Sequence, residues 1–216
     1  MTEVLEPIQS TIESLHDVAT QMDVRAFVVD PETWEKLPGA RRDLPEQLFV
    51  TGMNSAEEVG LALYIDPDVM AALRSDDPWE CLHGGNLQHF CIALEGVSHF
   101  VLLTWRGMAG GSVSPLELEL QAEVDKFLSA WLLLGEQGAH WEPAGRLLLR
   151  WLFGSYALRE SVVGDEADRY VVASRAAESF CRQLVERHAR RADTEGLKTD
   201  ARKFYRRGLT DKLRPI

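Results

Sequence analysis

At 216 residues the chain is long enough to bury a substantial core, as one large domain or two small ones. Its apolar share of 45% and charged share of 26% are those of an ordinary globular protein. The net charge of −11 argues against broad nucleic-acid binding through the main fold, and no apolar run reaches the roughly 18 residues that suggest a membrane span.

In chain order, Ile8, Ile12, Leu15, Ala19 and Met22 mark an amphipathic first helix. Residues 25–30 (RAFVVD) read as a strand ended by Pro31, and 31–37 as a helical turn before the Pro38-Gly39 break. Two further strands are predicted at 48–51 and 59–65, paired across the connection at 52–57. Asp66-Pro67 opens a short helix with Val69, Met70 and Leu73 inward.

Residues 87–134 hold the densest apolar content. Residues 88–94 fit a strand that turns at Glu95-Gly96, or a short helix begun by Asn86 and stopped by Gly96. The helix is preferred, because only Ile92 in that run is β-branched. Residues 97–106 (VSHFVLLTWR) read as an inner strand, apolar on both faces. A glycine-rich joint follows at 107–113. Ser114, Pro115 and Glu117 then announce a helix through Leu120, Val124, Phe127, Leu128, Trp131 and Leu134, stopped by Gly135, with Glu117, Glu119, Glu123 and Asp125 on its wet side. Later helices carry Leu147, Leu148, Trp151 and Leu152, then Tyr170, Ala173, Ala177, Phe180, Cys181, Leu184 and Val185. A last one spans 198–207, with Phe204 and Tyr205 available to dock.

Strands before residue 107 and long helices after 113 imply an α+β fold. The expected architecture is one domain over 1–216. It has an α/β half at 1–106 with a small mixed or antiparallel sheet, the joint at 107–113, and a mainly helical half at 114–216.

Several constellations carry chemistry. Cys81, His83, His89 and Cys91 form a C-x-H…H-x-C pattern of zinc-ligand types, but the spacing matches no common zinc module, so neither metal nor cofactor is expected. Glu13 with His16, and Glu80 with His83, match the Glu-x-x-His piece of di-iron bundles, but such a site also needs two further inward glutamates on a four-helix bundle, the strand candidates break that bundle, and Glu13 sits off the apolar stripe. The joint before Ser114 has the order of a phosphate cradle. It lacks both glycine-loop motifs, and Glu117 and Glu119 would repel phosphate, so it reads as a connector. Ser98 and His99 beside Glu95 suggest a triad, but neighbours on a strand point to opposite faces. His83, His89, Glu95 and His99 remain as acid/base candidates.

Charge is unevenly spread. Residues 182–216 carry +6 (11 Lys and Arg against 5 Asp and Glu), and the preceding residues carry −17. The tail therefore either docks on the acidic body or binds a polyanion, and Arg202, Lys203, Arg206 and Arg207 are its binding candidates. Leu184, Val185, Phe204 and Tyr205 favour docking. The three cysteines, Cys81, Cys91 and Cys181, are odd in number and widely spaced, and MTEVLEPIQS lacks a secretion core, so a reduced cytoplasmic protein is expected.

The functional expectation is a non-catalytic protein-binding or adaptor protein, whose partner is another protein or its own subunits. The rival is a small hydrolase using His83, His89, His99 and Glu95. A third reading, nucleic-acid binding through the basic tail, is disfavoured by the acidic body, and no membrane role is expected.

Overall fold

The computed structural model describes residues 2–52, 59–154 and 164–214. Helix α1 (Leu5–His16) buries Ile8, Ile12 and Leu15 as the spacing predicts. It stops at Asp17 in the left-handed conformation (φ 53°), so Ala19 and Met22 lie outside it. Residues 25–30 do not make a strand. The Asp23 carboxylate accepts from the Arg25 N–H and turns the chain into a 3-10 helix, Val24–Phe27, leaving Val28 with a single bridge to Leu63. Asp30 caps the short helix α2 (Pro31–Trp34).

Strands β1 (Glu46–Gly52) and β2 (Val59–Ile65) pair antiparallel, with Leu48 opposite Leu63. Part of their predicted connection, 53–57, lies outside the described residues. Alternation gives each face its own cover. Leu61, Leu63 and Ile65 join the main core, whereas Phe49 and Tyr64 pack with Trp34, whose ring stacks on Tyr64 at 3.8 Å. Helix α3 (Pro67–Ser75) is capped by Asp66 and buries Val69, Met70 and Leu73. The fold is thus α+β, with a small antiparallel sheet in the N-terminal half and a mostly helical C-terminal half.

The largest correction concerns residues 97–106. They are not a strand but the second half of helix α4 (Leu87–Met108). This helix packs against α1, α3, both strands and the next helix, so it is apolar nearly all round and mimics a strand buried on both faces. Gly96 does not end it. A Cβ there would stand 3.0 Å from Leu63 Cδ1 and 3.2 Å from Glu46 Oε2, so the missing side chain lets the sheet approach the helix. Gly107 and Met108 also belong to α4, and the connection begins at Ala109. By length and apolarity α4 could cross a membrane, yet 72% of its apolar window is buried inside the fold.

Helix α5 (Pro115–Glu136) starts as predicted, the Glu117 N–H donating to Ser114 Oγ at 3.2 Å. It runs one residue past Gly135, which instead lies under the Trp141 indole. Then come α6 (Trp141–Phe153), α7 (Asp165–His188), α8 (Thr194–Arg206) and α9 (Leu209–Lys212). On α6, Leu148, Leu149 and Phe153 are buried, while Leu147 and Trp151 point outward. One apolar cluster draws residues from α1 and from α3 through α8, with Phe127, Leu128 and Trp131 of α5 fully buried in it.

Candidate functional site

Helix α5 has no wet side of the kind its acidic residues predict. Glu117, Glu119 and Asp125 are buried, because α4 covers one flank, α7 another, and the chain's C-terminal end a third. Burying carboxylates is expensive unless each is paired, so their partners define what this interior can do.

Asp125 is the first hub. It accepts from Ser98 Oγ (2.6 Å), Gln121 Nε2 (2.8 Å) and the His16 Nε2 (2.7 Å). This joins α1, α4 and α5, and Tyr205 of α8 stacks on the His16 ring at 4.0 Å. Ser98 thus bonds an aspartate and not a histidine, which leaves no nucleophile–base pair there.

The second hub lies between α4, α5 and α7. Glu95 and His99 sit one turn apart on α4, as do Glu119 and Glu123 on α5. Lys126 Nζ donates to Glu95 Oε2 (3.0 Å) and Glu123 Oε1 (2.7 Å). The Tyr170 hydroxyl of α7 lies beside Glu119. Ligand atoms of Glu95, His99 and Glu119 all lie within 4.8 Å of one another, with His99 Nε2 3.9 Å from Glu119 Oε2. His99 Nε2 is buried and makes no hydrogen bond.

Electrostatics follow from the burial. Desolvation, and then the Glu95 charge, push the Glu119 carboxyl up to about 8, and desolvation holds His99 below its ordinary value. At neutral pH, Glu119 is protonated and His99 neutral, so their 3.9 Å approach is not an ion pair. Desolvation likewise raises Glu123, and it pushes the neighbouring Cys91 thiol up to about 12, leaving that cysteine inert as a nucleophile.

Of the acid/base candidates, only Glu95 and His99 come together. His83 is exposed and bonds Asp76 (3.2 Å) ahead of α4, whereas at about 1.5 Å per residue His99 lies about 18 Å along the axis from Leu87. His89 and Glu95 are about 120° apart around the helix. Asn86 does not cap α4 with its side chain. Its Oδ1 accepts from the His83 N–H and its Nδ2 donates to the Cys81 carbonyl, so it pins the preceding loop. Cys81 is exposed and Cys91 buried, and among the described residues the metal-ligand grouping is Glu95, His99 and Glu119, not Cys81, His83, His89 and Cys91. The sequence places Glu119 on the wet side of its helix and not in a site; the signal for the site was the repeated one-turn spacing, Glu95 to His99 and Glu119 to Glu123.

The tail candidates are engaged within the chain. Arg202 donates to the carbonyls of Leu15 and Ser14, and Arg206 to those of His16 and Asp17. Lys203 is exposed, 3.8 Å from Asp200, and the Arg207 carbonyl accepts from Arg106. Clefts open elsewhere, including one of about 250 Å³ lined by Ser14, Phe90, Ser129 and Lys198, and one of about 330 Å³ lined by Arg175, Gln183 and Lys212. Compared with family models, curated proteins and solved structures, the chain gives no match, so its chemistry is read from its own residues.

Proposed function

We propose that this chain is a non-catalytic binding protein whose ligand centre is the cluster of Glu95, His99 and Glu119. The observation that supports it is His99: a buried imidazole whose Nε2 has no hydrogen-bond partner and faces two carboxylates. Buried polar atoms are nearly always satisfied, so an orphan among acids reads as a place kept for a ligand. The hydrolase reading is weaker, because His83 and His89 do not share this centre and the described clefts are lined by other residues. The test is native mass spectrometry of protein purified without denaturants. Wild type should carry a bound species that the His99→Ala and Glu119→Gln variants lack. Identical spectra for all three would sink the reading.

The protein-partner reading rests on a separate observation. Leu147 and Trp151, 56% and 41% exposed, lie one turn apart on the outer face of α6. If this face holds a protein or a second copy, Trp151→Lys should abolish the complex in light scattering while leaving the melting temperature unchanged.

A further inference from the structure

The ligand of the buried centre can be narrowed by its donors. One imidazole nitrogen and two carboxylate groups converge from α4 and α5. Ligands at about 2.1 Å in a tetrahedral site stand about 3.4 Å from one another. The His99–Glu119 separation of 3.9 Å is about half an ångström wider, and the group, whose ligand atoms lie within 4.8 Å of one another, closes on an ion by side-chain adjustment. Charge points the same way. Among the described residues, Glu46 of β1, Glu95 and Glu123 outnumber the cations Lys126 and Arg169 around the site even with Glu119 protonated.

We propose that Glu95, His99 and Glu119 bind one divalent transition-metal cation of the Mn²⁺, Fe²⁺, Co²⁺ or Zn²⁺ class; this rests on the binding-centre reading and names its ligand. A mixed imidazole and carboxylate set suits these ions. It lacks the thiolates and thioethers that select Cu⁺, and the imidazole counts against Mg²⁺ and Ca²⁺. The supporting contact has the form that orients a metal ligand: Lys126 Nζ holds the Oε2 of Glu95. Lys126 also sets the stoichiometry. Its ammonium already bridges Glu95 and Glu123, where a second ion would need to sit. Side chains of His99, Glu119 and Glu95 are 9%, 10% and 20% exposed, so the centre is nearly closed, with Glu95 its most exposed member.

The test is a Co²⁺ titration of the chelator-treated full chain, followed by its visible absorption, with Zn²⁺ and Mn²⁺ titrations by calorimetry. Wild type should bind one equivalent. His99→Ala and the near-isosteric Glu119→Gln should each weaken binding by about 100-fold or more. Circular dichroism of the metal-free variants checks that both fold, and Glu119→Gln carries the test if His99→Ala does not. No binding to wild type, binding unchanged in Glu119→Gln, or binding abolished by His83→Ala would each overturn the proposal. The two readings fail separately. An organic species retained in native mass spectra and lost in the variants refutes the metal but keeps the binding centre, whereas no retained species refutes the centre.

Discussion

Lys212 reaches into the core to Glu117, 95 positions earlier, with its Nζ 3.3 Å from Glu117 Oε1 and 2.9 Å from Gln121 Oε1. Its side chain is fully buried and also lies over the Phe204 and Tyr205 rings. Desolvation outweighs the Glu117 charge and lowers Lys212 from 10.5 to about 8. The folded state therefore releases this proton before the unfolded state does. Stability from Lys212 is present above the unfolded value and is lost as pH falls through about 8. Between those limits, wild type should gain on Lys212→Met by on the order of 1 kcal/mol per pH unit. Urea unfolding of both proteins from pH 7.5 to 10 checks this; a constant difference would show that the ammonium is not buried in the fold.

The basic tail is a helix cap in space. Arg202 and Arg206 supply donors to the carbonyls of Ser14, Leu15 and His16 at the end of α1 and of Asp17 just beyond it, and place positive charge at its negative end. Arg206→Ala should destabilise by roughly 1.5–3 kcal/mol, the range for hydrogen bonds to a charged group. Truncation after Arg191 also removes the buried Leu197, Phe204 and Tyr205, and should lower the melting temperature sharply or abolish cooperative unfolding. A truncated chain as stable as wild type that had lost a steeply salt-dependent affinity for DNA or RNA would instead favour the nucleic-acid reading.

What was legible in the sequence was local. Ser114 with Pro115 and Glu117 announced α5, Asp66-Pro67 announced α3, and the apolar run at 59–65 announced β2, because caps and strand chemistry act through near neighbours. What was hidden depended on distant cover. Val97 through Arg106 looked like a strand because a helix enclosed on all sides shows no polar face, and its Val, Phe and Trp are also strand formers. The acidic residues of α5 looked solvated, because nothing near them in sequence reveals that Tyr170 and Lys212 will meet Glu119 and Glu117. The strand assignment then concealed the site. The strand assigned at 97–106 left Glu95 outside the element, whereas one continuous helix puts Glu95 and His99 on a shared face.

Gly135 sets two effects against each other. Gly→Ala inside a helix gains about 1 kcal/mol of propensity. Here the new Cβ would lie 2.6 Å from Trp141 Cζ2, and Trp141 is held by its carbonyl, which accepts from Trp131 Nε1 at 2.9 Å. Overpacking of that kind costs about 1–3 kcal/mol, so Gly135→Ala should be net destabilising. Ser114→Ala, at the other end of the helix, should lose about 1 kcal/mol through its cap. Denaturant midpoints of the two variants check both, and a stabilised Gly135→Ala would mean that Trp141 is not fixed against α5.

Asp125 should be the most sensitive polar position. Its two oxygens serve three buried donors on three helices: His16, Ser98 and Gln121. Asp125→Ala would strand all three at once, and removing one partner of a buried charged set typically costs about 3–5 kcal/mol. Asp125→Asn keeps the volume and one acceptor. With the amide oxygen facing His16 and Gln121, its NH₂ group faces Ser98, whose hydroxyl can rotate to accept. Asn should therefore cost clearly less than Ala, although it has one acceptor oxygen fewer. The stacking of Tyr205 on His16 transmits the loss to α8, so Asp125→Ala should also loosen the docked tail. Urea unfolding gives the order of stabilities, and proteolysis in the tail under native conditions reports its release. If Asp125→Ala and Asp125→Asn unfold at the same urea concentration, the three donors do not depend on this carboxylate, and the hub is packing rather than hydrogen bonding.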